Sequence, residues 1–151
     1  MFFADRAKAV SEMHRVLRPG GRMAIAVWGA AEAAPGYAAM ITLLEDLFGK
    51  AEADALRAPF GMGRLEDLVT LFDDAGLPRP EIEVVSGTAR FPSVAAWVEV
   101  DVKGWTLAEM LDEDQYAQLQ AAAEAALAEF AEPGGAVSFP VRCHIAVLRK
   151  T

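Results

Sequence analysis

Residues 18–29, RPGGRMAIAVWG, decide the fold. A Pro-Gly-Gly turn leads into an apolar run, and the run ends on Trp28 and Gly29. The segment Arg22–Trp28 reads as a β-strand without polar alternation, so it is expected to be buried on both faces with a neighbour on each side. Few residues precede it. What this strand was built to lie beside is therefore the first question.

Outward from that strand, the pattern is legible in both directions. Residues 5–17, DRAKAVSEMHRVL, form a helix with Val10, Met13 and Leu17 on one face. Asp5 caps its start, and Pro19-Gly20 stops it. Residues 37–48 form a second helix with Tyr37, Met40, Ile41, Leu44 and Phe48 as its stripe, and residues 51–57 a short third. APFGMG is a loop. Residues 64–75 form a helix with Leu65, Leu68, Val69 and Phe72 inward, Asp67, Asp73 and Asp74 outward, and Gly76 as its stop. EIEVVSGTARF, residues 81–91, alternates as a strand, with Ile82 and Val84 on the dry side. Ser93 caps a helix through Trp97 and Val98. Residues 113–131 form the longest helix, with Tyr116, Leu119, Ala123, Leu127 and Phe130 as its stripe. VSFPVRCHIAVL, residues 137–148, is a third strand. Val137, Phe139, Val141, Cys143, Ile145 and Val147 share one face, and His144 points to the other. Pro140 must sit at a bulge or on an unpaired side. Three strands and five or six helices in alternation indicate α/β layering.

Composition bounds the function classes. The chain has 151 residues, 54% hydrophobic and 24% charged, and reads as one soluble domain. A net charge of −8 argues against a nucleic-acid or anionic membrane surface, because phosphate groups call for clustered Lys and Arg. No apolar run is long enough to span a membrane, and no signal peptide is expected. The single Cys143 excludes an internal disulfide. The expected location is cytoplasmic.

Chemistry-bearing motifs are sparse. PGGR precedes a strand, whereas an anion cradle must open a helix. FGMGRLED does open a helix, but Glu66 stands where a third glycine belongs, and no strand precedes it. Two histidines, His14 and His144, and one cysteine give no zinc spacing, so no metal site is expected. No nucleophile elbow and no acid/base pair stand out, so no catalytic residue is assigned. Trp28 differs, because ligands of open α/β sheets bind beyond the carboxyl ends of strands.

Three segments taken together resemble a known family. FFADRAKAVSEMHRVLRPGGRMAIAVWG resembles the stretch of class I S-adenosylmethionine-dependent methyltransferases from the exit of the fourth strand to the end of the fifth. PFGMGRLEDLVTLFDDAGL is similar to the helix before their sixth strand. ARFPSVAAWVE is similar to the insertion that type 11 (ubiquinone/menaquinone-biosynthesis-like) members place before their last strand. The resemblance implies an α/β fold, the C-terminal half of a Rossmann-like methyltransferase domain whose seven strands run 3-2-1-4-5-7-6. This chain would supply strands 5, 6 and 7. Of the implied S-adenosylmethionine site, only Met1, Phe2 and Phe3 have counterparts here; the glycine loop and the acidic ribose ligand do not. Trp28, at the end of strand 5, and Trp97, in a substrate-covering helical insertion at 92–131, are implied to border the methyl acceptor.

Two functions follow as expectations. The first is methyl transfer to a small-molecule O, N or C nucleophile, driven by positioning, with this chain a fragment inactive alone. The alternative is a non-catalytic remnant that dimerises or binds a partner through the strand edge left open where strand 4 would lie, giving a homo-oligomer.

Overall fold

The computed structural model describes residues 3–151. Its first helix, α1 (Arg6–Val16), begins where the Asp5 side chain accepts a hydrogen bond from the Lys8 amide at 2.8 Å. The chain then turns through Gly20 into β1 (Arg22–Trp28). Next come α2 (Pro35–Phe48), with proline in its first turn, and α3 (Lys50–Arg57). After a 3-10 turn at Ala58–Phe60 come α4 (Leu65–Asp74) and β2 (Glu81–Phe91). Gly76, at φ 67°, closes α4 in the left-handed conformation expected of it. The helix α5 (Val94–Lys103) is capped by Ser93, whose hydroxyl accepts from the Ala96 amide. A reciprocal pair between Asp112 and Gln115 opens α6 (Glu113–Ala126), and β3 (Val137–Arg149) ends the fold.

The protein is mixed α/β, with a three-stranded sheet in the order β1-β3-β2. β1 and β3 are antiparallel, in register from Arg22 opposite Arg149 to Trp28 opposite Cys143. The Gly29 amide donates to the Arg142 carbonyl, and the Lys150 amide to the Gly21 carbonyl, both at 2.8 Å. In an antiparallel ladder this phase turns the backbone groups of the odd residues of β1 toward β3 and those of the even residues outward.

The chain divides into two compact units. One comprises Met1–Ala30, Pro59–Ser86 and Arg142–Thr151, and the other Ala31–Ala58 and Gly87–Val141. In the first, Val10 of α1 and Leu68 and Phe72 of α4 pack with Met23, Val27 and Leu148 of the sheet. In the second, Trp97 and Phe139 centre an aromatic core. Their ring centroids are 4.7 Å apart, with Phe91 stacked on Trp97 at 5.5 Å and Tyr37 edge-on to Phe139 at 5.3 Å.

Four expectations are corrected. β1 is not buried on both faces: Met23 and Val27 are buried, whereas Arg22, Ala24, Ala26 and Trp28 are exposed. Alanines on the open face disguise the alternation, because a methyl group counts as apolar without requiring burial. β3 does not bury one continuous face. Val137, Phe139 and Val141 are buried in one unit, and His144, Ala146 and Leu148 in the other, so the buried set changes parity where the strand passes between them. In β2, Val84 is 46% exposed while Val85 is half-buried, so the inward phase shifts after Ile82. The helix expected over 113–131 ends at Ala126, and Ala128–Phe130 form a 3-10 turn. Pro140 lies beyond the β1 register, which ends at Cys143, so its missing N–H costs that pairing nothing.

Candidate functional site

The surface among α1, α4 and β1 is the most site-like part of the first unit. Phe3, Val10, Met13, Ile25, Val27 and Met62 line a small apolar hollow of about 50 Å³ there. A larger open groove of about 680 Å³ runs past the start of α1 and along α4. Asp67, Thr70, Leu71 and Asp74 reach it from one stripe of α4 at helical spacing. Asp5, the cap of α1, and Arg6, its first residue, line the groove too, and the Arg6 guanidinium donates to the Met62 sulfur at 3.2 Å.

Of the two glycines of FGMG, Gly61 lines the larger groove and Gly63 serves packing. A Cβ at Gly63 would lie 2.3 Å from the Ala30 nitrogen, and the Gly63 carbonyl accepts the Ala30 amide at 3.1 Å. The helix that follows starts at Leu65 without a side-chain cap. This loop therefore locks the end of β1 and does not open a cradle for an anion.

Of the residues singled out in the sequence, Met1 and Phe2 lie outside the described residues. Phe3 is 56% exposed and borders both hollows. Trp28 is 40% exposed at the carboxyl end of β1. Trp97 belongs to the other unit and is wholly buried, so in this conformation its ring meets only protein. The segment 92–131 that contains it is helical, built from α5, α6 and two 3-10 turns.

Two groups were missed from sequence. The first is Asp101, 5% exposed, whose carboxylate accepts the Trp97 Nε1–H at 2.6 Å. Burial pushes this carboxyl up to about 6, partly opposed by the Trp97 hydrogen bond. Burial, and secondarily the Asp101 charge, also raise the neighbouring Tyr37 hydroxyl above its ordinary value. The signal was present: an acid four residues after a tryptophan, on a helix otherwise apolar along that side. The second is His144, placed outward from sequence and found buried, with its Nδ1 lacking a hydrogen-bond partner among the described residues. The parity change in β3 concealed it.

Among the described residues no group of three or more His, Cys, Asp or Glu side chains is arranged to hold a metal ion. No described helix is long and apolar enough to cross a membrane. No family model matches the chain, and no curated protein matches it.

Proposed function

We propose that this chain forms the acceptor-side part of an S-adenosylmethionine-dependent methyltransferase acting on a small molecule. One observation carries the reading. The order β1-β3-β2, with β3 antiparallel to β1, is the order that the resemblance implies for strands 5, 7 and 6. In this reading Phe3 borders the cofactor's sulfonium end, and Trp28 borders the acceptor at the carboxyl end of its strand, where ligands of open α/β sheets bind. Trp97 acts indirectly, by holding the 92–131 segment in shape from inside its unit.

The described residues do not fit the whole cofactor. Its carboxylate and ribose hydroxyls call for a backbone cradle and an acidic partner, and the one glycine-rich loop that opens a helix is committed to packing on Ala30. The chain alone is accordingly expected to bind S-adenosylmethionine weakly or not at all. Calorimetry tests this, together with the reading frame directly upstream. That frame is expected to encode a strand followed by a glycine-rich loop, and the extended polypeptide to bind the cofactor at micromolar concentration. Micromolar binding by the 151-residue chain, or an upstream frame without that pattern, would overturn the reading.

One observation favours the second reading, a non-catalytic association module: β1 has β3 on one side only within the described sheet.

A further inference from the structure

We propose that the 151-residue chain forms a homodimer in which β1 pairs antiparallel with β1 of a second copy, about a two-fold axis through Ile25. This deepens the second, association reading and rests on it, since a polypeptide that supplies a strand beside β1 would fill the same edge.

The backbone sets the phase. The outward-facing N–H and C=O groups of β1 are those of Arg22, Ala24, Ala26 and Trp28, because the odd residues face β3. An antiparallel pairing along this edge must therefore match even residues with even residues in its hydrogen-bonded positions. Centring the axis on Ile25 satisfies that condition. Ala24 then faces the partner's Ala26, Arg22 faces the partner's Trp28, and Ile25 meets its own copy in a non-hydrogen-bonded position. All seven residues of the strand are paired in this register.

The side chains agree with the backbone. On the exposed face, two pairs of methyl groups lie at the centre, and a guanidinium stands opposite an indole at each end. That end pairing is attractive, since arginine sits favourably on the face of tryptophan. On the core face, Met23 comes opposite the partner's Val27, which continues an apolar layer already present. The devices that usually blunt an edge strand are missing from β1, with no proline, no lysine and a single charge at its end.

The surroundings point the same way. The small hollow among α1, α4 and β1 brings Phe3 and Met13 beside Ile25, the residue on the proposed axis. A two-fold axis perpendicular to the sheet keeps both copies of α1 on one face. Strand pairing alone covers less than the roughly 1,000 Å² of a stable interface. Phe3 and Met13, which line that hollow and are 56% and 37% exposed, provide additional apolar area.

Sedimentation velocity and charge-swapped variants test the register. The wild-type chain is expected to sediment as a dimer at micromolar concentration. Ala24→Lys with Ala26→Lys sets cations opposite cations on both sides of the axis, and is expected to weaken the dimer about tenfold or more. Ala24→Glu with Ala26→Lys sets each anion opposite a cation and is expected to restore it. Both pairs change exposed side chains, so far-ultraviolet circular dichroism should be the same for all three proteins. Ile25→Cys in a Cys143→Ser background is expected to cross-link into a covalent dimer on oxidation. The axial Cα atoms would lie about 4.5 Å apart, within disulfide range. A monodisperse wild-type monomer would overturn the proposal, and so would a dimer indifferent to both charge variants.

Discussion

Replacing Asp101 by asparagine should stabilise the protein at neutral pH, and by an amount that changes with pH. The carboxyl sits inside the second unit with a folded-state pKa near 6, against an ordinary 3.8. A carboxyl whose pKa is raised on folding favours the native state in its protonated form. Its contribution is complete below about pH 4 and is lost as pH rises through 6. The difference of about 2 pKa units, at 1.36 kcal/mol each, amounts to roughly 3 kcal/mol at pH 7. Asparagine keeps an oxygen to accept the Trp97 Nε1–H and cannot ionise. At about 2–4 °C per kcal/mol for a chain of this length, the variant should melt some 6–12 °C above wild type at pH 7. Below pH 4 the two curves should converge, apart from a constant offset from the buried amide. Differential scanning calorimetry of both proteins at half-unit steps from pH 4 to 8 supplies the comparison. A stability difference that is flat across that range would refute the reasoning, whatever its sign.

Three further outcomes follow from packing and hydrogen bonding. A methyl at Gly36 would lie 2.5 Å from the Phe139 ring, so Gly36→Ala should cost about 1–3 kcal/mol in chemical denaturation, and Phe139→Leu should recover part of it. His144→Leu removes a buried unpaired nitrogen and should raise the unfolding free energy measured in urea by about 1 kcal/mol or more; a lowered value would refute the unpaired nitrogen's cost. Asp112→Ala breaks the reciprocal cap of α6 and should cost about 1 kcal/mol by the same assay, with Asp112→Asn close to neutral.

What the sequence made legible and what it hid have separate physical causes. Helix ends were legible because they depend on neighbouring residues: Asp5, Ser93 and Gly76 each do locally what their residue type does best. The strands were legible as strands for the same reason. Their faces were not, because a face is defined by what packs on it. Ala24 and Ala26 tolerate either side, so β1 looked wholly apolar while presenting an open face. The alternation of β3 continues unbroken in sequence, yet the two units bury opposite parities of it, and this carried His144 inside. Of the singled-out residues, Trp28 proved accessible and Trp97 did not. The buried Trp97–Asp101 pair required attention to helical spacing between unlike residues, which a search for apolar stripes passes over.

The register of β1 with β3 also sets a clock. The residues it joins, from Trp28 with Cys143 to Arg22 with Arg149, are separated by more than 110 positions. At a synthesis rate of about 5–20 residues per second, β1 leaves the ribosome some 6–23 s before its partner strand exists. Throughout that interval Met23, Ile25 and Val27 have no sheet to join, although α1, α2 and α3 can already form from local contacts. A nascent chain in this state exposes one apolar strand to anything that binds extended segments, chaperones and other nascent copies included. Slowing translation over residues 29–142 should therefore lengthen that exposure and lower the soluble yield, and speeding it should do the reverse.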